Sequence, residues 1–184
     1  MANFETPVLG EYQTIPSVHP DAMANSKPYV AKPDIQAGVG FPGELVPDWE
    51  NVAVKKLGDL VSKSRALQVF LDSCVKCGAC TDKCHYYLGT SDPKNMPVAR
   101  QDLLRSVYRR YYTFAGKHFP KLVGAQDMTK SVLDDWYTYF HQCSQCRRCS
   151  VFCPYGIDTA EISMAARDIM DTVGLGQKYS NEII

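Results

Sequence analysis

Eight cysteines in two groups with the same spacing constrain this chain more than any other feature. Each group reads C-x2-C-x2-C-x3-C; the members are Cys74, Cys77, Cys80 and Cys84, then Cys143, Cys146, Cys149 and Cys153. The chain has neither a signal peptide nor an apolar run of the roughly 18 residues that a membrane span needs, which predicts a soluble cytoplasmic protein. In a reducing cytosol, clustered cysteines are metal ligands or catalytic thiols rather than disulfides.

The spacing selects the kind of metal site. Three cysteines at every third position wrap a cubane more readily than they close a tetrahedral zinc site, and Cys80 to His85 is one residue too long for covalent haem attachment. In two-cluster ferredoxins the fourth cysteine of each run ligates the other cluster. We therefore predict two [4Fe–4S] clusters, a first on Cys74, Cys77, Cys80 and Cys153 and a second on Cys143, Cys146, Cys149 and Cys84. Because each site needs both motifs, cluster binding and folding are coupled.

Residues beside the cysteines predict that the two sites differ. Gly78 lets the backbone approach the first cluster, whereas Arg147 and Arg148 follow the central cysteine of the second motif. Nearby cations stabilise a reduced cluster, so we predict the higher potential for the second cluster, unless both arginines point into solvent. Pro154 follows the second motif, but His85 follows the first; its N–H can donate to a cluster sulfur, and a tolerant surface position is the alternative.

Electron transfer is the role that this chemistry predicts. Cysteine fills every ligand position, so no iron is open to a substrate, and the chain has no nucleotide-binding loop and no acid–base or nucleophile motif. Twenty basic residues balance twenty acidic ones, so the whole chain has no field that attracts nucleic acid. Residues 85–130 are locally basic and aromatic; a solvated helix face, docking to an acidic partner or membrane-proximal surface, and nucleic-acid binding are the alternatives there.

Apolar periodicity predicts a mainly α fold, with helices connected by two cysteine-rich loops. Helices are predicted from about Glu50 to Leu71, from Pro97 to about Thr113 and from Asp127 to His141. A last helix is predicted after Asp158, as part of a capping-box-like pair with Glu161, and Gly174 is its predicted end. Strand signals are weak throughout.

Three segments follow from these patterns. Residues 1–48 carry seven of the eleven prolines and predict an extended arm that wraps a partner subunit, with a disordered tail as the alternative. Residues 49–176 are the predicted helical domain with both clusters. Residues 177–184 are a C-terminal end that we expect to lead into a further domain.

The stretches FLDSCVKCGACTDKCHYYLGTSDPKNMPVARQDLLRSVYRR and YFHQCSQCRRCSVFCPYGIDTAEI resemble the N-terminal iron–sulfur part of the DsrK family. These proteins are heterodisulfide-reductase-like subunits of the membrane complex associated with dissimilatory sulfite reduction. The resemblance covers about Leu67 to Gly174. More broadly, the chain is similar to the ferredoxin-type subunit of heterodisulfide reductases and to the helical ferredoxin domains of fumarate and succinate oxidoreductases.

The resemblance implies an α-helical ferredoxin domain that passes electrons between a membrane haem-b subunit and a thiol/disulfide site. It further implies other iron–sulfur subunits as partners, a DsrC-like small protein as substrate of the assembly, and a peripheral position on the cytoplasmic face of the inner membrane. The family's cysteine-rich CCG domain has no counterpart here, since no cysteine follows Cys153; we expect a longer protein or a split subunit. An iron–sulfur subunit of the fumarate or succinate type and a scaffold subunit with redox-silent clusters are the alternatives.

Overall fold

A computed structural model describes residues 43–176, and this part of the chain is helical without any strand. Its α-helices are α1 (Trp49–Lys63), α2 (Arg65–Ser73), α3 (His85–Thr90), α4 (Pro97–Tyr112), α5 (Phe114–His118), α6 (Pro120–Val123), α7 (Lys130–His141), α8 (Arg148–Val151) and α9 (Thr159–Met170). The predicted mainly α fold is thus confirmed. Most of the predicted arm, residues 1–42, and the end over residues 177–184 lie outside the described residues.

The single helix predicted from Glu50 to Leu71 is wrong, because two helices occupy this segment. The backbone of Ser64 is extended, with φ −114° and ψ 101°, and separates α1 from α2. The Ser64 Oγ accepts a hydrogen bond from the Leu67 N–H at 3.2 Å, which satisfies one of the unpaired donors at the start of α2. The apolar period passes over this break because both helices direct their apolar faces to one core.

The two inserted helices lie where the sequence predicts them. Helix α4 begins with Pro97 in its first turn and ends at Tyr112. Helix α7 begins at Lys130 rather than at Asp127, because the Thr129 Oγ1 accepts from the Val132 N–H at 3.4 Å and caps the helix there.

Helix α9 is the centre of the core and packs against α1, α2, α4 and α7. Three of its side chains, Ile162, Ala166 and Ile169, have no exposed surface, and neither do Leu104 on α4 and Phe140 on α7. Burying one such leucine, isoleucine or phenylalanine stabilises the fold by roughly 1.5–3 kcal/mol. This packing fixes α4, α7 and α9 relative to one another, and these helices carry or border the cysteine loops.

The start of α9 is capped by Asp158 as the sequence predicts, but the Glu161 carboxylate accepts from the Ser64 Oγ at 3.4 Å, and the helix ends at Met170, before the predicted Gly174. The Asp158 Oδ1 accepts from the Ala160 N–H at 2.9 Å, as a helix cap does. A π-helical turn, Asp171–Leu175, follows α9, and Gly174 has a left-handed φ of 96° within it. The chain before α1 crosses this end of the helix, since the Val46 N–H donates to the Val173 carbonyl at 3.1 Å.

No helix within residues 43–176 combines the length and the apolar character that crossing a membrane requires.

Candidate iron–sulfur site

The two cysteine loops share one backbone conformation. In each loop, the residue before and the residue after the central cysteine have a positive φ: Lys76 (57°) and Gly78 (79°) around Cys77, and Gln145 (57°) and Arg147 (59°) around Cys146. Outside glycine, such a conformation costs roughly 1–2 kcal/mol and persists only where its surroundings impose it. Turns of this kind direct backbone N–H groups into a concavity that suits anions, including the sulfurs of iron–sulfur clusters. The sequence repeat is therefore also a repeat of backbone geometry.

A first cavity lies against the N-terminal motif. Helix α2 ends at Ser73, directly before Cys74, and the loop that follows carries the next two ligand candidates. The cysteines that line this cavity are Cys74, Cys77, Cys80, Cys149 and Cys153, and Gly78 and Pro154 line it as well. The last cysteine of the second motif thus faces the cavity of the first motif.

A second cavity lies against the C-terminal motif. Its cysteines are Cys84, Cys143, Cys146 and Cys149. Cys84 lies directly before α3, in an extended conformation, and lines this cavity although it belongs to the first motif. Since Cys149 lines both cavities, the two are neighbours with one shared wall.

Burial raises the pKa of two of the thiols. The pKa of Cys80 rises to about 11, chiefly through loss of hydration and next through the nearby Cys149. Loss of hydration also raises the pKa of Cys149. A ligand must be a thiolate, so these positions require a positively charged group to hold the deprotonated form. Within residues 43–176, no three metal-binding side chains converge closely enough to hold one metal ion. The cysteines border two cavities instead.

Arg100 is a site residue that the sequence did not single out. It lies on α4, is only 2% exposed and lines the second cavity. Its Nη2 donates to the Asn95 Oδ1 at 2.9 Å, whereas its Nε has no hydrogen-bond partner among residues 43–176. An uncompensated buried charge is strongly destabilising, so this guanidinium fits a negatively charged group in the cavity. One sequence signal was available: Arg100 precedes Leu104 by four residues and therefore shares the buried face of the helix.

Arg167 is a second missed cation, and it holds the chain that leads into the second motif. Its Nε and Nη2 donate to the Phe140 carbonyl at 3.1 and 2.6 Å, and Nη2 also donates to the Cys143 carbonyl. Loss of hydration lowers the pKa of this guanidinium; Cys143 opposes that effect and Arg100 adds to it. Two guanidinium groups therefore lie close to this part of the second cavity.

His85 contacts the second loop through its ring. The imidazole Nε2 lies 3.3 Å from the Ser144 Oγ, and Nδ1 lies 4.0 Å from the Cys146 Sγ. The sequence predicted a contribution from the backbone N–H of His85, and the side-chain contact was not foreseen.

The two arginines of the second motif are exposed. Arg147 lines the second cavity, and its Nε forms an ion pair with the Asp158 Oδ2 at 3.2 Å. Arg148 begins α8. Solvent therefore screens both charges, and the Asp158 carboxylate also screens that of Arg147. This arrangement corresponds to the alternative in which both arginines point into solvent and have less influence on the cluster potential.

The basic residues between 85 and 130 do not share one face. Arg100 and Arg105 are buried, and Arg110 pairs with Asp127 at 2.6 Å. A count of charges overestimates the basic surface here, because it cannot separate internal arginines from exposed ones.

The fold, the cysteine loops and a family match together define the class of this protein. Residues 70–157 match the family described as "4Fe-4S dicluster domain". The matched segment contains all eight cysteines and both cavities. It is a helical iron–sulfur domain.

Three relatives indicate the kind of protein more closely. The chain is 54% identical over 136 residues to the "Hdr-like menaquinol oxidoreductase iron-sulfur subunit 2" of Archaeoglobus fulgidus; the match covers 74% of this chain and 24% of that protein. The corresponding iron–sulfur subunit of Archaeoglobus profundus is 52% identical over 136 residues, with the same coverage of 74% and 24%. One subunit of the dihydromethanophenazine:CoB–CoM heterodisulfide reductase of Methanosarcina barkeri is 32% identical over 106 residues, or 58% of this chain and 25% of that protein.

The chain thus spans about a quarter of the length of these relatives. They support the heterodisulfide-reductase-like part of the resemblance found in the sequence, and they do not single out the DsrK type. No solved structure matches the chain.

Proposed function

We propose that this chain carries electrons through two adjacent [4Fe–4S] clusters in a heterodisulfide-reductase-like, quinol-linked oxidoreductase. The observation that carries the proposal is the exchange of the fourth cysteines, with Cys153 at the first cavity and Cys84 at the second. A bound cubane supplies one-electron transfer, and four cysteine ligands leave no iron open for a substrate. Both cavities are lined by cysteines and bordered by loops of the same conformation, which supports the same kind of occupant in both.

In this proposal the cysteines hold the clusters, and the apolar side chains around them control access of water. We assign Cys74, Cys77, Cys80 and Cys153 to the first cluster, and Cys143, Cys146, Cys149 and Cys84 to the second. The second-motif cysteine that lines both cavities, Cys149, provides the contact between them. Val98 and Ile157 line the first cavity and Ala160 lines the second, and these apolar groups exclude water from the inner walls. The central cysteines Cys77 and Cys146 are exposed, so each site has one side open to a redox partner.

The named relatives supply the biochemical context of the proposal. The Archaeoglobus proteins are described as iron–sulfur subunits of Hdr-like menaquinol oxidoreductases, and the Methanosarcina protein as part of a heterodisulfide reductase. By analogy, electrons pass between a membrane quinone or haem-b subunit and a thiol/disulfide site, with this chain peripheral on the cytoplasmic face. In the finer, DsrK-type form of the proposal, the assembly belongs to dissimilatory sulfur metabolism and acts on a disulfide or trisulfide of a DsrC-like protein.

Redox titration of the full protein, purified anaerobically with its native partners, tests the electron-transfer role. Iron analysis and electron paramagnetic resonance (EPR) should reveal two interacting cubanes that are reduced in two one-electron steps. Clusters that stay redox-silent over the physiological range would favour a scaffold role. Co-purification with a fumarate- or succinate-type flavoprotein would contradict the heterodisulfide-reductase-like assignment, whereas a haem-b subunit with a thiol/disulfide partner would support it.

Serine substitutions test the crossed ligands. We expect Cys153→Ser to alter the same EPR signal as Cys77→Ser, and Cys84→Ser to alter the same signal as Cys146→Ser. The opposite pairing, in which Cys153→Ser changes the signal marked by Cys146→Ser, would refute the assignment.

A further inference from the structure

We propose that Arg100 is the internal counter-ion of the second cluster, and that its charge raises the reduction potential of that cluster and steadies the helix beside Cys84. The proposal rests on the proposed function, because it requires a cubane in the second cavity. It assigns a role to a residue that lies 16 positions beyond the nearest cysteine in the sequence.

The first support is the charge balance around the guanidinium. Arg100 is 2% exposed, and its one hydrogen-bond partner in the described residues is the neutral amide of Asn95. None of the ion pairs between described residues includes Arg100. Its Nε is buried and unpartnered, and the residue borders the cavity that holds four cysteines. A cluster with thiolate ligands is negatively charged and becomes more so on reduction, so it compensates this charge best in the reduced state.

The second support is a chain of hydrogen bonds, buried at Arg100 and partly buried beyond it, that joins Arg100 to α3. Asn95, which is 1% exposed, accepts from Arg100 and donates through Nδ2 to the Thr90 Oγ1 at 3.1 Å. The Thr90 hydroxyl donates in turn to the Tyr86 carbonyl at 2.7 Å. Helix α3 begins directly after Cys84, so this chain ties the crossed ligand to the same guanidinium.

The third support is the contrast with the next residue on the same helix. Gln101 is also 2% exposed, but it lines the first cavity and donates through Nε2 to the Phe70 carbonyl at 2.6 Å. Helix α4 therefore presents a cation to one cavity and a neutral amide to the other. Lys76, which also lines the first cavity, is exposed and pairs with Asp102, so it is screened in a way that Arg100 is not.

An EPR-monitored redox titration of Arg100→Gln tests the proposal in the full protein with its partners. The equilibrium constant for reducing the second cluster should fall at least about tenfold, which corresponds to about 59 mV for a one-electron couple. The first cluster, marked by its altered signal in a Cys77→Ser background, should change by less than about threefold, since Gln101 rather than Arg100 borders it. Arg100→Lys keeps the positive charge, so the reduction potential of its second cluster should stay close to that of the unsubstituted protein.

Arg147→Gln is the matched control, because Arg147 borders the same cavity but is exposed and already paired. Its effect should be small and should vanish between about 0.1 and 1 M salt, whereas the effect of Arg100→Gln should persist. Equal shifts for the two variants, or a shift that salt removes from both, overturn the proposal.

Iron content separates the remaining outcomes. If Arg100→Gln loses only the second cluster while Arg100→Lys keeps both, the counter-ion role is supported; loss of both clusters from both variants indicates a purely structural arginine and overturns it. Absence of clusters from the unsubstituted protein refutes the proposed function itself. Two clusters that titrate normally, with no response to Arg100→Gln, refute only the counter-ion role.

Discussion

Replacing Arg167 by methionine should release iron from the second cluster faster and leave the first cluster nearly unaffected. The reason is local: the guanidinium donates to the carbonyls of Phe140 and Cys143, where α7 ends and the second motif begins. Methionine retains the apolar stem and removes these donors. The loop then loses the hydrogen bond that joins the backbone of its first cysteine, Cys143, to α9.

The size of the effect follows from the hydrogen bonds. A bond to a charged donor contributes about 1.5–3 kcal/mol, and two carbonyls lose one strong partner each. Arg167 is only partly buried, so water replaces some of what is lost, and a net cost of about 1.5–3 kcal/mol for the pair is a reasonable expectation. If this cost appears as easier opening of the loop, iron release should accelerate roughly 10- to 100-fold, since 1.4 kcal/mol is a factor of ten.

The assay is anaerobic transfer of iron from the loaded protein to a coloured chelator, with EPR to follow each cluster. One of the two release phases should accelerate in Arg167→Met. The rate of iron release from Arg167→Lys should lie between those of the unsubstituted protein and Arg167→Met, because an ammonium group lacks the planar fork that reaches both carbonyls. Lys56→Met is the control. Lys56, on α1, pairs with Asp168, the neighbour of Arg167 on α9, at 3.0 Å; the two side chains are 30% and 48% exposed, so the change in the rate should be less than about twofold. Equal acceleration of both phases in Arg167→Met would refute a local role.

Three further predictions concern the fold around the site. Asp158→Ala should lower the stability of the loaded protein by about 1–2 kcal/mol, seen as an earlier thermal transition by circular dichroism, and Asp158→Asn should restore most of it because asparagine also caps helices. Gly174→Ala should cost about 1–3 kcal/mol, because its φ is 96° and a Cβ would lie 2.2 Å from the Glu44 carbonyl oxygen; an unchanged transition would contradict this. Burial, together with the hydrogen bond to Asp92, raises the pKa of Tyr139 to about 12. The neutral phenol is thus favoured in the fold, so its stabilisation is complete below the ordinary pKa of about 10 and is lost as the pH rises through about 12. Tyr139→Phe should remove part of the tyrosinate absorbance that develops near pH 12.

The sequence predicted those features that short-range chemistry determines. Repeated cysteine spacing was sufficient to predict two cysteine-lined sites. The assignment of four ligands to each cluster, with Cys84 and Cys153 exchanged, stays a prediction from the general behaviour of two-cluster proteins. The caps at Pro97 and Asp158 were readable because they act within one turn of their own helix. The break at Ser64 was missed because the apolar period continues through it, although serine followed by a helix was the available signal.

Tertiary position decided what the sequence left open. Arg147 occupies the place of Gly78 in the repeat, and glycine is the residue that adopts a left-handed backbone without strain. The structure gives them the same left-handed backbone, with φ 59° and 79°, so the repeat extends to a position where the sequences disagree. The charge of Arg147 is exposed, whereas the more buried guanidinium groups near the second cavity lie on α4 and α9.

The 58-residue insert between the motifs, residues 85–142, gains a physical purpose from this arrangement. Without it, two cysteine loops of equal conformation would border the two sites, and the exposed, screened arginines of the second motif would favour an electron on that side only weakly. Helix α4 of the insert lies against both cavities and contributes a buried cation to one and a neutral amide to the other. An added electron is stabilised more where an unscreened cation lies nearby, so unequal walls give transfer between neighbouring equal sites a preferred side. On this argument the exposed arginines of the second motif can be neutralised with little consequence, and the inequality of the two sites depends on Arg100.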